Sequence, residues 1–65
     1  MDNPDITVIG HGSLFGLTPE TDEGERWLAD NLPDDVQRLG STRFCEGRYL
    51  EDIVVGARQD GLSVE

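Results

Sequence analysis

The chain has 65 residues, which is enough for a single domain with a thin hydrophobic core. It carries 14 acidic and five basic residues, so its formal net charge at pH 7 is −9. Nucleic-acid phosphates and anionic lipids would repel such a chain, which excludes a nonspecific nucleic-acid binder and disfavours a membrane-surface protein. The charge instead favours a basic macromolecular partner, with electrostatic steering of the encounter.

The single cysteine and the single histidine limit the chemistry further. Cys45 has no second cysteine to pair with in the same chain, and with His11 it cannot supply the four ligands of a usual zinc site. A lone cysteine suits a reducing compartment, and we find neither a secretory signal nor an apolar run of about 20 residues. We therefore expect one cytoplasmic acidic α/β domain, residues 1–65, that is a monomer or a weak homodimer.

The first elements in the chain are predicted to form a β-hairpin. Residues 6–9 are mostly β-branched, which is typical of a strand, and residues 10–13 contain two glycines and a serine, which indicate a turn. Residues 14–17 are apolar around Gly16 and are predicted to be the second strand.

A helix should follow this hairpin. Thr18 and Pro19 suggest its first residues, although Thr21 is an alternative N-cap. Pro33 is expected to end the helix. One apolar stripe marks the side that should face the core: Trp27, Leu28 and Leu32.

Less regular sequence separates this helix from the next elements. Residues 34–40 are interpreted as a connector containing one helical turn closed by Gly40, and residues 42–45 as a third strand. At the far end of the chain, residues 62–64 are candidates for a short edge strand. The order of elements along the chain is therefore β-β-α-β-α, with an optional last strand.

A second helix is predicted from Gly47 to Asp60. Gly61 followed by Leu62 predicts a Schellman-type stop. Its apolar positions follow i, i+3, i+4, i+7 spacing: Leu50, Ile53, Val54 and Ala57. The expected fold class is α+β, a small antiparallel sheet of three or four strands with both helices on one face.

No group of residues predicts catalysis, a cofactor or a metal site. His11 lies between turn glycines without a serine–acid–base set, and both burial in a strand and the adjacent Glu46 would make the Cys45 thiol less reactive. The acidic pair Asp34–Asp35 lacks the ligand spacing of a calcium loop. We therefore expect a protein that is not an enzyme and needs no cofactor.

The acidic surface is the remaining candidate site. Carboxylates one helical turn apart lie about 5–6 Å from each other, which resembles the spacing of successive phosphates on a DNA strand. A row on the outer side of the first helix and beyond Pro33 is the main candidate for partner binding: Asp22, Glu23, Asp30, Asp34 and Asp35. Glu51 and Asp52 form a second patch, which Arg48 should partly neutralise. The alternative is a solvated acidic surface that only maintains solubility.

The segment from Arg48 to Ile53, together with Gly56 and residues 60–62, is similar to a group of tiny bacterial and mobile-element proteins. Residues 12–15 and 18–28 share this likeness. More narrowly, the chain resembles small acidic anti-CRISPR proteins that inhibit type I-C interference complexes. This resemblance implies a non-enzymatic inhibitor that mimics DNA charge at the target-recognition subunit of such a complex, in the cytoplasm of a bacterial host.

A different class of function is also consistent with the sequence. An interaction or antitoxin-like module would bind through an apolar patch near Val55 and Tyr49, and the acidity would then provide only solubility. Val55 is expected on the outer side of the second helix. Trp27 and Tyr49 are expected to be large core residues.

Overall fold

The computed structural model describes residues 3–65; Met1 and Asp2, part of the N-terminal segment in which no secretory signal is expected, lie outside the described residues. A four-stranded antiparallel sheet packs with two helices in the order β-β-α-β-β-α, which confirms the predicted α+β class. The spatial order of the strands is β1-β2-β4-β3. The elements are β1 (Ile6–His11), β2 (Leu14–Pro19), α1 (Asp22–Asn31), β3 (Arg38–Leu39), β4 (Thr42–Glu46) and α2 (Gly47–Gln59).

Both hairpins of the sheet turn through a Gly-Ser pair. Gly12 and Gly40 each occupy the first position of a two-residue loop and have φ angles of 67° and 62°. Glycine with positive φ at this position is typical of type II′ turns, whose twist matches that of the flanking strands. The prediction of the first hairpin is confirmed. The prediction of a helical turn closed by Gly40 is wrong, because Gly40 instead reverses the chain between β3 and β4.

Helix α1 begins later in the chain than Thr18 and Pro19 suggest. Pro19 pairs with Ile6 as the last residue of β2, so a helix start at residues 18–19 is wrong. Thr21, the alternative, is the N-cap, and its Oγ1 accepts a hydrogen bond from the backbone N–H of Gly24 at 3.0 Å. The helix ends just before Pro33, as predicted.

The second helix ends as its sequence indicates. The backbone N–H of Leu62 donates to the carbonyl of Ala57, and that of Gly61 donates to the carbonyl of Arg58, both at 3.0 Å. Gly61 has a φ of 92°. This pair of hydrogen bonds with a left-handed glycine is the Schellman motif.

The C-terminal residues return to the outer edge of β1. Val64 forms a single parallel bridge with Ile6, and the backbone N–H of Val8 donates to the carbonyl of Glu65 at 2.7 Å. The Arg58 side chain holds the Val64 carbonyl at 2.9 Å. The optional last strand is therefore a parallel bridge, which covers part of an edge that would otherwise be open to pairing.

The hydrophobic core lies between one face of the sheet and both helices. The predicted inner face of α2 is confirmed, since Ala57 is fully buried and Leu50, Ile53 and Val54 pack around it. The fully or almost fully buried apolar residues come from the sheet, both helices and the C-terminal segment: Ile6, Leu17, Leu28, Ala57 and Val64.

The opposite face of the sheet is open and carries little charge. Side chains alternate along a strand, so Thr7 and Ile9 point away from the helices, and Ile9 is 50% exposed. On the same face, the rings of His11 and Phe44 meet edge to face, with centroids 5.5 Å apart. All seven predicted partner-binding carboxylates lie on other parts of the molecule.

Gly24 lies where α1 meets the residue before β1, and its size is essential there. A Cβ atom at this position would overlap the backbone carbonyl of Asp5. We expect Gly24→Ala to lower the free energy of unfolding by about 2 kcal/mol or more, because backbone must shift to relieve the overlap. Urea denaturation followed by circular dichroism would measure this loss.

Gly56→Ala is the matched control in the other helix. Its Cβ would meet only the Trp27 ring, at 3.4 Å, and alanine favours a helix interior over glycine by about 0.5–1 kcal/mol. We expect an unchanged or slightly higher stability. Equal losses in the two variants would contradict the assignment of Gly24 as a close-approach position.

Candidate functional site

The acidic residues of α1 lie on its exposed side. Asp22 and Asp30 are each one turn from Arg26, and all three side chains are exposed. Glu23 is also exposed and lies toward the end of α2, where it lines a shallow depression of about 260 Å³ with Asp60. Glu23 therefore brings one carboxylate of α1 near the C-terminal end of α2. The sequence did not indicate this proximity.

Asp34 and Asp35 do not continue this row as a single line. Both are exposed on the connector after α1, but they border different surfaces. Asp34 lines a small depression with Arg38 and Arg43, whereas Asp35 borders a separate apolar groove. The connector turns here to deliver the chain into β3, and this turn separates the two neighbours.

Glu51 and Asp52 are also separated. Consecutive residues are about 100° apart around a helix, and of the two only Asp52 borders the apolar groove. Arg48 contacts neither of them within ion-pair distance, so the expected pairing is wrong. Its guanidinium instead lies 3.2 Å from the carboxylate of Glu46 and 4.9 Å from the centre of the Tyr49 ring.

The predicted carboxylates share one electrostatic property. Within residues 3–65, none of the seven forms an ion pair or a side-chain hydrogen bond, and all seven are exposed. Internal partners engage four other acidic side chains: Asp5, Glu25, Glu46 and Asp60. The negative charge that the protein presents to solvent is therefore concentrated on side chains that no internal partner neutralises.

Arg43 and Glu25 form the most buried ion pair among the described residues. The Arg43 side chain is 5% exposed and reaches both carboxylate oxygens of Glu25, at 3.3 and 2.9 Å. The hydrogen bond from Arg43 holds the pKa of Glu25 below its ordinary value, against a smaller opposing effect of burial. Glu25 thus ties α1 to β4 and is not part of the free acidic surface.

Asp5 has a similar structural role. Its carboxylate accepts hydrogen bonds from the Ser63 backbone N–H at 3.0 Å and from the Thr21 hydroxyl at 2.7 Å. These donors, Ser63 first, lower the pKa of Asp5. The Asp5 carboxylate therefore links the residue before β1, the C-terminal segment and the start of α1 through hydrogen bonds.

An apolar groove of about 460 Å³ lies beside the acidic surface. The sequence does not predict this groove, and its one local signal is Val36, an apolar residue within an acidic connector. The groove is bounded by the connector, β4 and the first turns of α2. Its apolar lining includes Leu14, Leu32, Val36, Phe44, Tyr49 and Ile53.

Of the two aromatic residues expected in the core, Tyr49 differs from that expectation and Trp27 agrees with it. Tyr49 is not a core residue: it is 49% exposed and borders the groove. Trp27 does pack against the core, and its Nε1–H donates to the carboxylate of Asp60 at 2.7 Å. Val55 is exposed on α2, as predicted, but it does not line the groove, so Val55 and Tyr49 do not border a common pocket.

Cys45 and His11 lie on opposite faces of the sheet, since Cys45 packs against the core and His11 does not. Cys45 is a free thiol that lines the groove, and burial raises its pKa, which reduces the thiolate fraction. His11 is exposed at the end of β1 and contacts Phe44 on the open face of the sheet. The arrangement brings no nucleophile and base together among these residues.

Known proteins give no independent assignment of this chain. Neither protein-family models, curated proteins nor solved structures match this chain. Among residues 3–65, no three His, Cys, Asp or Glu side chains form a group suited to a metal ion. Neither α1 nor α2 has the length and apolar character needed to cross a bilayer.

The two lowered pKa values predict how stability depends on pH. The ordinary values for Glu25 and Asp5 are 4.5 and 3.8, and the folded-state values lie below them. Their stabilising contribution is therefore fully present above these values and is lost as pH falls through the lower folded-state values. We expect urea denaturation to show a decreasing free energy of unfolding below about pH 5.

Removing these two carboxylates should reduce that dependence. Asp5→Asn/Glu25→Gln should have a lower stability at pH 7 and a shallower decline toward acid pH. Asp22→Asn/Asp30→Asn removes the same charge from side chains that have no partner among residues 3–65 and serves as the control. If the free energy of unfolding declined identically with pH in the wild type and in Asp5→Asn/Glu25→Gln, Asp5 and Glu25 would not have these stabilising roles.

Proposed function

We propose that this protein is a non-enzymatic inhibitor that mimics the charge of DNA and blocks target-DNA recognition by a CRISPR interference complex of the Cascade type. Its partner is a basic DNA-binding surface, in the subunit that recognises the target. The inhibitor acts in the cytoplasm of a bacterial host cell, where a reducing environment suits the free Cys45 thiol.

The main support is the set of exposed carboxylates that have no partner among the described residues. Arg and Lys residues of a DNA-binding groove recognise regularly spaced phosphates through charge-assisted hydrogen bonds. Asp22, Glu23 and Asp30 offer acceptor oxygens of the same kind on helix α1. Because α1 is anchored to the core through Leu28, these acceptors are held in place before binding.

The distribution of the arginines supports the same proposal. Arg43 is buried against Glu25, Arg48 pairs with Glu46, and Arg58 binds a backbone carbonyl. Three of the five basic residues are thereby directed to groups other than the proposed binding carboxylates. The net charge of −9 remains available to steer the protein to a basic partner.

Competition with DNA tests the proposed function. A purified type I-C interference complex and its target duplex would be held at fixed concentration while the protein is added, and bound DNA would be measured by fluorescence anisotropy. We expect displacement of DNA, with affinity that falls steeply as salt increases. Asp22→Asn/Asp30→Asn should need about tenfold more protein for half displacement, because two acceptors for basic side chains are lost.

Thr7→Lys/Ile9→Lys is the matched control. It changes the formal net charge by the same two units, but on the open face of the sheet, away from α1. The control should displace DNA with nearly wild-type affinity if the α1 carboxylates bind the partner. Undisturbed DNA binding at saturating wild-type protein would reject this target, and equal losses in both variants would reject α1 as the binding surface.

The exposed Tyr49 beside the apolar groove favours a second candidate, an interaction or antitoxin-like module that binds an apolar partner. Salt separates the two candidates. Affinity of an apolar interface should change little between low and high salt, whereas affinity of a charge mimic should fall.

A further inference from the structure

The apolar groove has the dimensions and walls of a site that accepts a side chain from a partner. Its volume of about 460 Å³ lies within the range of about 300–1,000 Å³ for ligand clefts. Val36 contributes to the wall from the connector, Phe44 and Cys45 from β4, and Tyr49 and Ile53 from α2. Mimicry of phosphate charge does not require such an apolar surface, so the groove calls for a separate explanation.

The charged residues around the groove are all acidic. Asp35 stands on the connector side, Asp52 on the α2 side and Glu46 at the end of β4, and no basic residue among residues 3–65 lines the groove. The nearby Arg48 is already engaged by Glu46 and lies over the Tyr49 ring. Asp35 and Asp52 therefore flank an apolar surface with negative charge that has no ion-pair partner within the described part of the chain.

This charge pattern identifies the chemistry of the occupant. A second copy of the chain would bring another net charge of −9 toward Asp35 and Asp52, and a nucleic acid would add phosphates. A purely apolar ligand would desolvate the two carboxylates without pairing them, which is unfavourable. A segment that combines an apolar side chain with flanking cations satisfies both parts of the groove.

We propose that the groove binds an apolar side chain of a basic protein segment, whose adjacent Arg or Lys residues pair with Asp35 and Asp52. The proposal rests on the proposed function, because it describes how the basic partner is held once its charge has been attracted. The buried apolar side chain is the interaction hot spot, since fully desolvated anchors contribute most to binding. The two carboxylates select for cations at its sides.

A pair of synthetic peptides tests this inference directly. Both peptides are short and rich in Arg and Lys, and they differ only at one central position, which is Leu in the first and Ser in the second. We expect the Leu peptide to bind about tenfold more tightly than the Ser peptide, because its side chain is removed from water. Fluorescence anisotropy of labelled peptides at near-physiological salt would measure both dissociation constants.

Cys45 provides a second measurement at the groove itself. It is the only cysteine in the chain and it lines the groove, so its alkylation rate reports on access to this surface. Saturating Leu peptide should slow alkylation of Cys45 by iodoacetamide several-fold, and the Ser peptide at the same concentration should slow it much less.

Matched charge variants identify the carboxylates involved. Asp35→Asn/Asp52→Asn and Asp22→Asn/Asp30→Asn have the same net charge and alter only exposed side chains. We expect the first variant to lose several-fold more affinity for the Leu peptide than the second. Circular dichroism would verify that both variants remain folded.

Three results would overturn the groove proposal: equal affinities for the two peptides, unchanged alkylation of Cys45, or no binding of either peptide. None of these results would affect displacement of DNA from the interference complex, so the proposed function would be judged separately. Conversely, specific binding of the Leu peptide without any displacement of DNA would retain the groove and reject the proposed inhibitor.

Discussion

The structure depends on the hydrogen bonds that converge on Asp5. Its carboxylate accepts from Thr21, the N-cap of α1, and from Ser63 near the C-terminus, while its backbone carbonyl accepts from Glu20. Gly24 allows α1 to approach this residue closely. A domain with so few buried apolar residues gains little from its core alone, so fixing these segments at a single residue is important for their arrangement.

Internal contacts of several acidic side chains explain how a small domain tolerates so much negative charge. The buried Arg43 pairs with Glu25 between β4 and α1, and the Trp27 indole donates to Asp60. These acidic groups help hold elements together. The seven predicted partner-binding carboxylates are exposed to water, where high dielectric and salt reduce their mutual repulsion.

The acidic surface and the groove divide the proposed binding between two physical effects. Long-range attraction of a basic partner depends on total charge and increases the association rate. Burial of an apolar side chain acts only at contact and slows dissociation. Asp35 and Asp52 belong to both surfaces, since they carry unpaired charge and border the groove.

Local sequence signals determined several features without the tertiary structure. The first hairpin, the Thr21 cap option, the inner face of α2 and the Schellman stop at Gly61 all depend on residues close in sequence. Composition likewise fixed the net charge, and the helical periodicity placed Asp22 and Asp30 on an exposed side of α1.

Only the tertiary structure decided which distant residues meet. The β3–β4 hairpin escaped prediction because β3 has two residues and is specified by pairing with β4. Tyr49 is exposed because the groove opens beside it, and Asp34 and Asp35 border different surfaces because the connector turns between them. Local propensities set where a helix or strand forms, but packing between elements sets which side chains share a surface.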